Sequence, residues 1–205
     1  MRYILDIYYS FAAIALAVVY MPGPGTLKSI NNAINFGFHG SLVGISGLTL
    51  GVCAVAVLSA SGLGLLLISS PQAFRVISYC GAAYLLRLAI KMWFTENRSQ
   101  GEVQTLAFRK RSVFNEGFLL QFSNPNAILF FCSVFPHFVD EKKSYITQFS
   151  LLVTIFCLAF ICAHTSYALL AYKARSVITG NNKIWINRIN AILYLLLSCY
   201  LVYGS

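Results

Sequence analysis

Two short stretches carry the least helix-like backbone in an otherwise apolar chain. Residues 18–29 read VVYMPGPGTLKS, and residues 119–131 read LLQFSNPNAILFF. A proline inside a helix removes a hydrogen bond and costs about 3 kcal/mol, and a glycine adds about 1 kcal/mol. Pro22 and Pro24 release the carbonyls of Val18 and Tyr20, and Pro125 releases that of Gln121. A helix that restarts after such a break presents unpaired amides and the positive end of its dipole to an anion. Thr26, Ser123, Asn124 and Asn126 add hydroxyl and amide groups at the same two places. Together these groups suit a carboxylate and a polar side chain, the chemistry of a small zwitterion. Pro22, Gly23, Pro24, Thr26, Ser123, Asn124, Pro125 and Asn126 are therefore candidate binding residues. The plainer alternative is a pair of proline kinks, since proline is commoner in membrane helices than in soluble ones.

Ionisable side chains inside apolar runs are the next candidates, because burying them is costly. His164, in FICAHTSYALL, is the most central, and a histidine can carry a proton near neutral pH. It is read either as a proton-handling residue or as a histidine satisfied by Thr165, Ser166 or a carbonyl. Arg87 and Lys91 lie four apart, on one helical face. Lys91 is expected to snorkel to the interface, whereas Arg87 is a candidate to face a cavity and attract a carboxylate. Glu116, His137 and Asp140 fall near run ends, where solvation explains them. No acidic residue occupies the middle of an apolar run, which argues against a dedicated cation site. The six cysteines show no CxxC spacing, so they read as small buried hydrophobes, with no metal site and no disulfide framework. No nucleophile–base pair and no phosphate-cradling loop is legible, so neither an enzyme, a bound cofactor nor ATP drive is expected.

What positions these residues depends on the solvent. The chain has 205 residues, 58% hydrophobic and only 10% charged, with a mean hydropathy of +0.71. Soluble domains carry about 25% charge, so a lipid bilayer is the expected surroundings. The net charge of +9 sits in short connections between apolar runs, which reads as membrane topology and not as a nucleic-acid face.

A bilayer core takes about 20 apolar residues per helix. Six segments qualify: 4–24, 41–68, 72–94, 114–139, 146–172 and 184–203. The first is expected to be a retained span, not a cleaved leader, and TLKSINNAIN after it to run along the cytoplasmic surface. The whole chain, 1–205, reads as one transmembrane domain, with halves 1–94 and 113–205 joined by a cytoplasmic loop at 95–112. Ten Lys and Arg residues flank the loops after spans one, three and five, against four on the opposite side, which places both termini outside. Three spans per half make an inverted 3+3 repeat possible, with spans one and four as the broken helices and the site between them. Gly40, Gly44, Gly47 and Gly51 in span two line one helical face and predict close backbone packing, against a neighbouring helix or another subunit.

At this point MPGPGTL, GSLVGISGLTLG, SYCGAAYLLRLAIKM and FNEGFLLQFSNPNAILFFCSVFPHFV, in that order over residues 10–140, resemble the LysE/RhtB-type amino-acid exporters. The resemblance implies a multi-pass bacterial inner-membrane exporter of amino acids or close derivatives, driven by protons and dimeric. It also implies that Pro22, Gly23, Pro24, Asn124 and Pro125 form or border the substrate path. Gly25 stands where that family often has asparagine, Asn126 where it often has lysine, and Arg87 where a bulky neutral residue is usual. Other readings are a non-transporting membrane component, such as a sensor or assembly partner, and an inorganic-ion exporter.

Overall fold

The computed structural model describes residues 2–61, 70–94, 109–140, 143–175 and 181–203. They form α1 (Arg2–Val19), α2 (Pro24–Ala60), α3 (Pro71–Trp93), α4 (Lys110–Phe122), α5 (Pro125–Val134), a 3-10 turn at Phe135–Phe138, α6 (Tyr145–Ala174) and α7 (Asn181–Tyr203). No strand occurs among the described residues, in keeping with an all-α chain. Residues 95–108 of the expected cytoplasmic loop and 62–69 of the second expected span lie outside the described residues.

Both predicted breaks are present. α1 stops at Val19 and α2 starts at Pro24, whose fixed φ and missing N–H suit a first helical turn. α4 stops at Phe122 and α5 starts at Pro125, with a bend of 52° between the two helical pieces. By length and apolar composition, α2 and α6 can each cross a membrane, and the bent 110–138 pair would make a third span if its two pieces cross together.

The stretch after the first break differs from expectation. It is not a surface connection: helix resumes at once, and Thr26, Lys28, Ser29, Asn31 and Asn32 are all buried. The turn lies instead at Gly37, with φ 74° and ψ 178°, a conformation open in practice only to glycine. Residues twelve apart in a straight helix are about 18 Å apart. Here Ser41 Oγ donates to the Ser29 carbonyl at 2.9 Å. α2 is therefore a hairpin of two limbs, 24–36 and 38–60. Several polar residues of the first limb have protein partners in place of water: Ser29 Oγ meets His164 Nδ1 at 2.9 Å, and Asn35 Nδ2 donates to Asn31 Oδ1 at 2.7 Å.

The glycine stripe sits in the second limb and meets α4 of the same chain. A Cβ placed on Gly47 would lie 2.1 Å from the Phe114 carbonyl oxygen, and one on Gly51 2.7 Å from that of Phe118. From the other side, a Cβ on Gly117 would lie 2.5 Å from the Gly44 carbonyl oxygen. Only hydrogen at these positions lets the two backbones approach so closely. α6 packs on α2 and on α1, and α3 pairs with α7.

Phenylalanines lock α1, α5 and α6 together. Phe11 meets Phe135 edge-on at 5.2 Å between centroids, Phe131 meets Phe156 at 5.1 Å, and Phe130 meets Phe156 at 4.9 Å. Edge-to-face rings at such distances are favourable beyond their buried area. Large apolar side chains such as Leu158, Leu170 and Leu196 point outward. That arrangement suits a protein whose outer surface meets lipid.

Candidate functional site

The two breaks face each other across one cavity of about 320 Å³. Pro22, Gly23, Pro24, Gly25 and Thr26 form one wall, Gln121, Asn124 and Asn126 the second, and Phe156, Phe160 and His164 of α6 the third. Phe130, Val18 and Val19 complete an apolar side. Six of the sequence candidates thus come together there, and His164 with them. Ser123 lies instead on a separate crevice of about 10 Å³ toward α3, and Pro125 is wholly buried. Arg87 is exposed on α3 and does not line the cavity, contrary to the reading that it faces one.

The breaks differ in which backbone groups they leave open. The carbonyls released by the prolines find new donors. That of Val18 accepts from the Met21 N–H at 3.2 Å, and that of Gln121 from the Asn124 N–H at 3.2 Å. The Tyr20 carbonyl accepts from the Tyr167 hydroxyl at 2.7 Å, across 147 residues of sequence. At the start of α5, Asn124 caps the helix: its Oδ1 accepts from the Asn126 N–H at 3.1 Å, and its carbonyl from the Ala127 N–H at 3.1 Å.

The start of α2 has no such cap. Gly23 has no side chain to bond the first turn, and the first N–H with an intrahelical acceptor is that of Leu27, to the Gly23 carbonyl at 3.1 Å. The Gly25 and Thr26 amides are thus the orphan donors of this helix, and both residues line the cavity. Glycine at position 25 keeps the floor low. A Cβ there would lie 3.1 Å from His164 Cε1 and 3.5 Å from Gln121 Oε1.

His164 is nearly inaccessible, and its Nδ1 lies 2.9 Å from Ser29 Oγ on the first limb of α2. The expected partners, Thr165, Ser166 or a carbonyl, are thus replaced by a hydroxyl from another helix. The Phe160 ring lies against the imidazole, centroids 4.0 Å apart. Apart from His164, no ionisable side chain among the described residues lines the cavity. Its chemistry is therefore that of backbone amides, side-chain amides and aromatic faces. No group of three or more His, Cys, Asp or Glu placed to hold a metal occurs among the described residues.

Several contributors were not singled out from sequence. Gln121 entered only through its carbonyl, yet its side chain lines the cavity. Phe156, Phe160 and His164 recur every fourth residue, a spacing that puts them on one helix face. Glu116, expected to be solvated near a span end, instead pairs with buried Lys28 and with Lys91, the latter at 3.1 Å. Lys28, 88 residues from Glu116 in sequence, is brought to it on the first limb of the hairpin that turns at Gly37.

Comparison with known proteins finds a family and several relatives. The family model described as LysE type translocator matches residues 16–205. A membrane protein of Vibrio cholerae is 34% identical over 155 residues, covering 72% of this chain and 73% of its own. The homoserine/homoserine lactone efflux protein of Salmonella typhimurium is 31% identical over 163 residues, covering 78% of this chain and 77% of its own. The leucine efflux protein of Salmonella choleraesuis is 29% identical over 156 residues, covering 75% and 74% respectively. No solved structure matches the chain. With the match spanning nearly its whole length, this helical membrane protein belongs to the LysE family of translocators.

Proposed function

We propose that the chain is a secondary exporter of a small neutral amino acid or close derivative, which binds in the cavity between the two broken helices. The observation that carries this reading is the cavity's composition. It joins an uncapped helix start, fit for a carboxylate, to the Gln121 amide and three phenylalanine rings, with no ionisable side chain among the described lining residues besides His164. Its size lies at the lower end of small-molecule pockets, about 300–1,000 Å³. Efflux of homoserine, its lactone and leucine by relatives points to the same class of cargo.

In this reading the carboxylate accepts from the Gly25 and Thr26 amides. The ammonium group lies toward Gln121 Oε1 and the aromatic faces, and the side chain packs on Val18, Val19 and Phe130. The protein resides in the bacterial inner membrane with both termini outside. An inward proton, handled at His164, drives export.

The six-span inverted repeat belongs to the same proposal. Span one is α1 with the first limb of α2, span two the second limb, span three α3, span four α4 with α5, span five α6 and span six α7. Exchanging spans one and four, two and five, and three and six carries the main observed contacts onto one another. Span two on span four becomes span five on span one, while the two–five and three–six pairs map onto themselves. That correspondence supports two related halves around a shared site, and three spans per half make the second inverted.

The test is efflux from proteoliposomes preloaded with a panel of labelled amino acids. Export of a neutral member that accelerates under an inward proton gradient is expected; no substrate-dependent efflux across the panel refutes the reading. Pro24→Ala and Pro125→Ala separate it from a non-transporting membrane component. An exporter loses rate when the breaks are repaired, whereas unchanged efflux by a folded double variant favours proline kinks alone.

A further inference from the structure

We propose that Lys28 and Glu116 form a releasable latch that closes the cavity along the seam between the first limb of α2 and α4. The inference rests on the exporter reading for its purpose and on the following geometry for its place. Lys28 is about one helical turn beyond the cavity residue Gly25, and Glu116 lies about one and a half turns before the cavity residue Gln121. Their ion pair therefore ties the two broken helices together just outside the cavity wall.

Lys28 is sealed in, with 5% of its side chain exposed, and Glu116 retains 22%. A charge pair so placed is poor glue, because desolvation offsets most of its attraction. Inside a membrane protein such a pair is a functional candidate. Glu116 also has a second cation in reach. Lys91 Nζ on α3 lies 3.1 Å from Glu116 Oε1, and 55% of the Lys91 side chain is exposed. The Ser112 hydroxyl is 3.4 Å from the same oxygen, and the Tyr84 hydroxyl donates to the Glu116 carbonyl at 3.1 Å. When the first limb swings away from α4, Glu116 stays neutralised by α3 and only Lys28 changes partner.

The next turn of the limb points the same way. Asn32 is fully buried against Gly44, and neither its Nδ2 nor its Oδ1 has a hydrogen-bond partner. A buried amide with both ends unmet is costly where it sits. Opening the seam would give Asn32 water and, one turn away, the released ammonium of Lys28.

The experiment reads exposure directly. Thr26→Cys places a thiol in the cavity, and its labelling by a membrane-impermeant maleimide is measured by mass spectrometry in membranes of either sidedness. Lys28→Met with Glu116→Gln removes the latch without leaving a buried orphan charge, since Lys91 is largely exposed. Labelling about tenfold faster from one face is expected, the size of a modest population shift. Should that variant aggregate, Glu116→Gln alone, which leaves Lys28 an acceptor oxygen, is read in the same way. Labelling within about twofold of the parent from both faces, in protein that elutes as one species, overturns the latch. Labelling does not depend on which solute is carried. Raised exposure together with a silent solute panel therefore refutes the exporter reading and leaves the latch standing.

Discussion

Ser29 Oγ lies 2.9 Å from His164 Nδ1, joining residues 135 apart in sequence. The bond fastens the first limb of α2 to α6 beside the cavity, so any proton taken up by the imidazole is felt by the limb that carries Gly25 and Thr26. His164→Gln keeps a polar side chain while removing the titration. It should abolish proton-driven uphill efflux and leave substrate exchange at equal pH on both sides. Counterflow and gradient-driven assays on the same vesicles distinguish the two. Loss of both would make His164 a packing residue instead.

Ser29→Ala probes the same bond from the other side. One hydrogen bond between buried groups is worth about 1 kcal/mol, with a further cost where the partner is left unmet. The melting temperature in detergent should fall by a few degrees. Ser41→Ala, which removes a bond to the Ser29 carbonyl within the hairpin, should lower it by a similar amount.

The hairpin itself depends on Gly37. At φ 74° and ψ 178° a side chain is strained whatever space surrounds it, by about 1–3 kcal/mol. Gly37→Ala should destabilise the protein by that amount, and Gly23→Ala should not. Gly23 has extended backbone, and nothing lies within 4 Å of where its Cβ would be. Thermal unfolding followed by tryptophan fluorescence compares them. Equal stability of the two variants would count against the hairpin.

What was legible in the sequence was the part governed by local rules. Pro22–Gly25 and Asn124–Asn126 break helices because proline lacks an N–H, and both breaks are where the prolines stand. The glycines at 44, 47 and 51 predicted a close neighbour, and α4 is that neighbour. What was not legible depended on one residue's torsion. TLKSINNAIN is polar, and polarity alone reads as solvent exposure. The left-handed turn at Gly37 folds the segment inward, where Ser29 meets His164 and Lys28 meets Glu116. Nothing in local composition marks which of the fourteen glycines makes that turn. Arg87 illustrates the converse: its charge suggested a buried role, and its helix leaves it outside.

Gly47 gives the sharpest packing test. The Phe114 carbonyl oxygen lies 2.1 Å from where a Cβ would sit, and it is backbone, so no rotamer can relieve the clash. Gly47→Ala should force α4 away from the second limb, at the about 1–3 kcal/mol typical of overpacking. Because α4 carries Gln121 and leads into Asn124, efflux should fall along with the melting temperature. A variant that melts like the parent would mean that the two backbones are farther apart than described.

Cys53 on α2 and Cys157 on α6 report on the same core from another direction. Their sulfurs are 3.2 Å apart, although the residues are 104 apart in sequence. Both are free thiols, and spacing along the chain gave no hint of the pairing. Iodine, a two-electron oxidant, should join them, taking two electrons and releasing two protons as the disulfide forms. Mass spectrometry should find the 53–157 cross-link in preference to any that involves Cys80, Cys132, Cys162 or Cys199. Phe156 and Phe160 line the cavity from the helix that carries Cys157. The cross-link should therefore also slow efflux if α6 moves against α2 during transport, with recovery on reduction. Efficient cross-linking with undiminished efflux would mean that the second limb of α2 and α6 travel together, leaving the movement to α4 and the first limb.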